Sequence, residues 1–413
     1  MKRYFLYAVL FFISDLAWAQ VTVAEFILSA TNNADVKTAE AQIKYLDASP
    51  YKLSPLQKLE FRTQNREMLS TQQEYAVRIN PANPWEMRST NNYFKAYKSS
   101  LSLEKERVLK EALVERYDLI ILYYYYHAVK VLAQENEKLV EKQLTVLERQ
   151  TTSSFFDADE YVKLKLEQLD KKAQKEEAVF DWQSQMAAVN EFYPEGAGKN
   201  FGWESQPIIS VSRMEKVADS LVALMIKPLE VSYFEQQVTV ARRQYEMEKS
   251  NVNLGFFQTS YDRRRVNQER NPFGISLGVT IPITNPNKGD MARRKLSEIE
   301  SEVELNAVTQ EEQGARNVAY QKLKESIAQY HELQRSIDEL EKSNLPQQLT
   351  QLKNGDPLIV LQFETGINKL RALLVKHQRH VLTDYLGFLA HSDHLQQRPL
   401  VNYLSANLAV IGN

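Results

Sequence analysis

Between Trp85 and Tyr193 the chain contains neither glycine nor proline. The stretch is rich in Glu, Lys, Gln, Leu and Ala, the residues that lose least on entering a helix. It has one break. Thr151 to Phe156 is uncharged and begins with four consecutive hydroxyl residues, which suit turns and helix N-caps better than helix interiors. The pattern predicts two helices meeting at a tip near Ser153. The first begins with Pro84 at its opening position and ends near Gln150, which makes it roughly 100 Å long. A helix of that length cannot bury itself in one compact globule; it belongs to a coiled coil or a helical tube.

The balance of 51 Lys and Arg against 53 Asp and Glu gives no reason to expect a nucleic-acid partner. The absence of cysteine excludes disulfides, thiolate metal sites, a cysteine nucleophile and an acylated N-terminal cysteine. Lys2 and Arg3, the apolar run Tyr4 to Ile13, and Ala17-Trp18-Ala19 have the layout of a signal peptide cleaved after Ala19 (domain 1–19). Export follows from it. No other apolar run is long enough to span a bilayer as a helix, and Leu119 to Leu132, with Tyr123 to Tyr126, reads as a buried helix–helix seam.

Val23 to Leu46 carries apolar residues at helical spacing. Leu59 to Thr63 and Tyr75 to Ile79 alternate with period two and could pair as a short hairpin (58–80). The first long helix (84–150), the tip (151–157) and a returning helix (158–192) follow, then an irregular loop (193–212). A helix from Met214 to Lys249 is broken or kinked at Pro228. Asn251 to Tyr261 and Gly274 to Ile283 read as a second hairpin (251–284), joined by the polar, arginine-rich stretch Asp262 to Asn271. A second long helix (290–354), a tip at Gly355-Asp356-Pro357, a returning helix (358–391) and a tail complete the chain.

The two halves, 20–212 and 213–413, match. Val77 to Met87 aligns with Ile281 to Met291 at an offset of 204, and the tips near Ser153 and at Gly355 are offset by 202. Shared order at a nearly fixed offset is the signature of an internal duplication.

This layout resembles the outer-membrane efflux protein family, the TolC-like outer-membrane factors. The strand Gly274 to Ile283 before a long helix, Arg149 to Asp159 around the first tip, the duplication and the signal peptide carry the resemblance. Two positions depart from it: Ser153 stands where the family has a glycine, and Leu361 stands where it has an aspartate. The resemblance implies a mainly α fold of long antiparallel helical hairpins, assembled as a homotrimeric α-barrel with a small β-barrel or short β segments. It further implies export of drugs, metals or proteins across the outer-membrane lipid, with a periplasmic adaptor and an inner-membrane pump of the RND or ABC type. In the second hairpin Ile275, Leu277, Val279 and Ile281 share one face, and Val252, Leu254 and Phe256 share a face of the partner. The first hairpin reads as short, with Lys58, Glu60 and Arg62 on one face, and as a doubtful membrane span.

No catalytic constellation and no cofactor motif is present in the sequence. His377, His380 and Asp384 fall on one side of the last helix, where a solvated face explains them better than a metal site. His391 and His394 suit a helix C-terminus. Asp157, Asp159 and Asp356 are candidates for acidic rings at a channel mouth, with helix N-capping as the plainer alternative. Ser153, Ser154 and Gly355 mark the expected adaptor-docking tips. Pro346 is expected to kink the second long helix or to end it. A periplasmic coiled-coil scaffold without a conducting pore is the rival to an export conduit.

Overall fold

The computed structural model describes residues 21–65, 68–69, 72–150, 156–193, 201–224, 226–268, 270–280, 287–343, 348 and 357–411. The elements, in order, are α1 (Val23–Leu28), α2 (Ala34–Asp47), β1 (Leu56–Asn65), β2 (Gln73–Pro81), α3 (Pro84–Gln150), α4 (Ala158–Phe192), α5 (Val211–Val222), α6 (Leu229–Ser250), β3 (Gly255–Asp262), α7 (Arg263–Asn267), β4 (Phe273–Val279), α8 (Lys288–Lys342), α9 (Pro357–His391), β5 (Leu400–Val401) and β6 (Val410–Ile411). The fold is mainly helical, as expected. A strand pair, a long helix and a helix of 35 residues occur twice in that order.

The chain divides into two compact units. The first lies within Met1–Asn33, Leu109–Ile226 and Gly314–Asn413, and the second within Ala34–Val108 and Lys227–Gln313. Each unit draws on both sequence halves, because α3 and α8 contribute residues to both.

The second unit holds the sheet and the starts of the long helices. Asn83 caps α3 by accepting a hydrogen bond from Trp85 N at 2.9 Å, which satisfies one of the free N–H groups of the first turn. Its amide donates to Ser250 O at 2.9 Å and Val252 O at 3.0 Å. Asn287, its partner in the repeat, donates to Asn251 O at 2.7 Å and Glu248 O at 3.4 Å. Both asparagines therefore clasp the same end of α6. Nearby, Arg107 joins Glu104 and Glu230, each at 2.9 Å, and lies over the Tyr233 ring.

The first unit is built round Trp203, fully buried with Phe26, Phe201 and Tyr123. Its indole donates to Val21 O at 2.8 Å, which leaves no buried donor unpaired there. Of the expected seam Leu119 to Leu132, Ile120, Ile121 and Tyr123 are buried, Tyr124 to Tyr126 are half-buried and Val131 is exposed. Tyr123 donates to Glu204 Oε2 at 2.6 Å and Tyr124 to Trp203 O at 2.9 Å. Burial works to raise the Glu204 carboxyl, but the Tyr123 hydroxyl and the residue's own backbone amide outweigh it and hold it below the usual range. Among the described residues no helix is long and apolar enough to cross a membrane.

One expectation about the helices needs correction. Val23 to Leu46 is two helices: Thr22 caps α1 in a reciprocal box with Glu25, a short 3₁₀ turn follows, and extended Asn33 interrupts the chain before α2. Of the two readings for Pro228 the break holds: α5 ends at Val222, and Pro228 stands at the N-cap of α6. α8 is described to Lys342, and most of its expected continuation to Asn354 lies outside the described residues. The tail is folded. Leu400, Tyr403, Leu404 and Ile411 are buried, and the buried Tyr117 hydroxyl donates to Val401 O at 2.8 Å and accepts from Tyr403 N at 3.2 Å. Lys110 pairs with buried Asp393 at 3.1 Å.

Candidate membrane sheet and channel-mouth residues

The four antiparallel strands run in the order β1-β2-β3-β4. The register places residues of like character side by side. Leu59, Ile79, Phe257 and Leu277 form one row across the sheet; Phe61, Val77, Thr259 and Ile275 form the next; Thr63, Tyr75, Tyr261 and Phe273 form the third. With Val279 these residues make up one face, since alternate residues of a strand point the same way. None of them is charged. Phe61, Ile275 and Leu277 are 79%, 76% and 74% exposed. The third row is an aromatic one, with the Tyr261 and Phe273 rings edge to face at 5.4 Å.

The opposite face carries Lys58, Glu60, Arg62, Arg78, Gln258, Ser260 and Ser276. Glu60 takes Lys58 Nζ on one carboxylate oxygen at 2.5 Å and Arg62 Nη2 on the other at 2.6 Å. Arg78 Nε donates to Gln258 Oε1 at 2.9 Å, and its guanidinium stacks 3.8 Å from the Phe256 ring centroid. On this face Glu60, Arg78, Gln258 and Ser260 are half-buried, while Lys58, Arg62 and Ser276 are exposed. A sheet in water has the reverse arrangement, with its apolar face covered and its polar face solvated.

Two expectations about the hairpins change. The first is the longer, with strands of 10 and 9 residues against 8 and 7 in the second. Lys58, Glu60 and Arg62 do share a face, but Leu59 and Phe61 between them complete the apolar side. In β3 it is Phe257, not Phe256, that belongs to the apolar face. Val252 and Leu254 precede the strand, and Gly255 at φ +125° resets the alternation that they would have set. Gly255 cannot be replaced without cost: a Cβ there would lie 1.9 Å from Gly278 O. Ile281 lies outside the described residues.

At the other candidate site, Asp157 caps α4, accepting from Asp159 N at 2.9 Å and Glu160 N at 3.1 Å. Asp157 and Asp159 are exposed. Beside them Val140, Leu144 and Leu147 of α3, Leu164 of α4 and Leu358 of α9 form one buried cluster. Gln143 Nε2 reaches Thr365 Oγ1 at 3.1 Å inside the helix pair α3–α9, and Gln362 Nε2 reaches Glu160 Oε1 at 3.1 Å. Ser153, Ser154, Pro346, Gly355 and Asp356 lie outside the described residues.

The histidine pattern on α9 does not converge. The rings of His377 and His380 are 6.3 Å apart, and Asp384 is engaged by Lys322 at 3.1 Å. Among the described residues no three potential ligands gather for a metal. His394 is buried, and that burial, with Arg316 nearby, pushes its imidazole down towards the neutral form.

No protein-family model and no curated protein matches the sequence. Solved structures do. CusC, described with its conformational changes in folding and transmembrane channel formation, superposes at a TM-score of 0.67 with 12% identity, covering 91% of this chain and 92% of its own. The outer membrane protein VceC of Vibrio cholerae gives 0.62 at 10% identity, with 90% and 95% covered. The chain has the fold of the TolC-like outer-membrane channels. The open-state outer membrane channel MtrE of Neisseria gonorrhoeae superposes with a TM-score of 0.61 at 12% identity, over 94% of this chain and 91% of that one. CusC and MtrE are described as channels and VceC as an outer membrane protein. The aromatic row and the inverted sheet were present in the sequence as alternation in both hairpins, but only the register between them revealed a continuous face.

Proposed function

We propose that the chain is the subunit of an outer-membrane export channel. The observation that carries this reading is the inverted sheet, whose uncharged face is exposed while its polar face is the more occluded. A β-barrel in lipid needs that arrangement: apolar outward, aromatic at the interface, polar towards the lumen. Edge strands β1 and β4 are unpaired among the described strands, and open edges cannot remain in a bilayer. Joining β1 of one copy to β4 of the next closes the barrel, and a homotrimer is the assembly that the fold favours. Export of small molecules such as drugs or metals, or of proteins, would then run from the periplasm with an adaptor and an inner-membrane pump.

On this reading the adaptor docks at the tips marked by Ser153, Ser154 and Gly355. The exposed acids Asp157 and Asp159, with Asp356, would border the mouth, with Asp157 serving also as a cap. Pro346 would set the course of the second long helix towards that tip, by a kink or by ending it.

One observation favours the scaffold reading: β3 and β4 have 8 and 7 residues, fewer than the roughly 9–11 that a membrane strand needs. Fractionation and planar-bilayer recording separate the two. A trimer in the outer-membrane fraction that conducts in lipid is expected. A soluble periplasmic protein that never conducts would select the scaffold.

A further inference from the structure

Within strands β1 to β4 the charges balance, Lys58, Arg62 and Arg78 against Glu60, Glu74 and Asp262. The connection of β1 to β2, residues 66–72, balances too, with Arg66 and Glu67. The connection of β3 to β4, residues 263–272, does not. It has four arginines against one glutamate, a formal +3. Arg263, Arg265 and Arg270 are exposed, and Arg265 stays half exposed although it lies 3.9 Å from Asp262. Glu74 and Asp262 stand opposite each other at the same end of the polar face, and even counted in full they leave a positive balance.

The position of this connection gives the charge its meaning. β2 ends at Pro81 just before α3 begins at Pro84, so the end of the sheet where Leu56 meets Pro81 is the helix end. The arginines are at the other end. There Tyr261 pairs with Phe273, and Asp262 N donates to Pro272 O at 2.9 Å, so the connection starts one step beyond the aromatic row. Within it, α7 lies against β2. On the uncharged face Phe61, Tyr75, Val77, Tyr261 and Phe273 line a groove of about 420 Å³ that reaches this row.

We propose that the arginine connection and the groove bind a phosphate-bearing anionic lipid, its headgroup at the arginines and the upper part of one acyl chain in the groove. The inference rests on the channel reading above, which puts the helices in the periplasm and this end of the sheet at the outer surface. Aromatic rows of membrane proteins sit at headgroup level, so cations one step beyond such a row stand where lipid phosphates are. A guanidinium stays charged and offers paired N–H donors that match a phosphate. An apolar groove beside cations suits an amphiphile, since a bare anion would leave the groove to water.

The test uses the purified full-length protein in a neutral detergent, mixed with equal amounts of phosphatidylglycerol and phosphatidylcholine of the same acyl chains. Native mass spectrometry reads which lipid is retained. The wild type should prefer phosphatidylglycerol. Each of R263Q, R265Q and R270Q should lower that preference by up to roughly fivefold, the effect of one basic side chain at an anionic surface, and the triple glutamine variant should abolish it. The triple lysine variant should keep much of it, which guards against a folding defect. Excess inorganic phosphate should fail to displace the lipid; displacement would mark a bare phosphate site and overturn the lipid assignment. Equal retention of the two lipids by the wild type overturns the proposal, and so does an unchanged preference in the triple glutamine variant. A protein that takes up neither lipid nor detergent overturns the channel reading itself.

Discussion

The sheet of the second unit and the Trp203 core of the first place the same kinds of side chain in opposite ways. Around Trp203, aromatic rings are fully buried and their polar atoms are paired, as Trp203 with Val21 and Tyr123 with Glu204. In the sheet, Phe61, Phe273, Ile275 and Leu277 stand exposed in a continuous uncharged face, while Arg78 and Gln258 are half-buried. Burial from water drives both arrangements. The difference is what supplies the apolar surroundings: the chain itself for the core and, on the channel reading proposed above, a lipid phase for the sheet. Each region should therefore fail in its own way when it is changed.

Trp203→Ala should cost about 3–5 kcal/mol, the range for emptying a buried aromatic site, and should lower the unfolding midpoint in denaturant. Leu277→Arg should leave that midpoint unchanged yet oppose lipid insertion by about 2–4 kcal/mol, the cost of a cation on the lipid face near mid-bilayer, read as loss from the outer-membrane fraction. If Leu277→Arg instead lowers the unfolding midpoint as Trp203→Ala does, the exposed face packs against protein and the contrast breaks. Gly255→Ala should cost about 1–3 kcal/mol through a disfavoured backbone conformation, visible as faster amide exchange in β3 and β4 with α9 unaffected.

The smallest effect belongs to the first unit's surface. Lys324 meets Asp219 at 2.9 Å and Glu215 at 3.0 Å, and the Tyr320 hydroxyl donates to Asp219 at 2.7 Å. Lys324 and then Tyr320 hold the Asp219 carboxyl below its ordinary value. A carboxyl lowered by folding contributes stability above its unfolded value and loses it as pH falls through the folded one. The group is half exposed, so Asp219→Asn should cost less than about 1 kcal/mol at neutral pH, and the difference in thermal midpoint from wild type should vanish in acid.

Much of this fold is legible from local pattern. The first long helix follows from a run without glycine or proline, and the equivalence of Asn83 and Asn287 follows from the offset of the two halves. Other features depend on partners far away in sequence. That Phe257 and not Phe256 faces outward depends on the backbone of Gly255, and the continuous apolar face depends on β2 pairing with β3, some 180 residues on. The break at Asn33 depends on a short 3₁₀ turn that periodicity does not reveal. Helix capping was legible as the plainer reading of the acids near the first tip, but that Asp157 is the one that caps is shown by the backbone N–H groups of Asp159 and Glu160.

The folded tail has a consequence for the order of events during synthesis. Tyr117 waits for Val401 and Tyr403, and Lys110 waits for Asp393, all more than 280 residues later. A chain delivered N-terminus first would lack the C-terminal partners of the Tyr117 hydroxyl and the Lys110 ammonium until nearly the last residues arrived. The middle of α3 therefore cannot reach its final packing while synthesis is under way, and completion of the C-terminus is the event that licenses it. Truncation before Asp393 should accordingly be read out at α3, far from the cut in sequence.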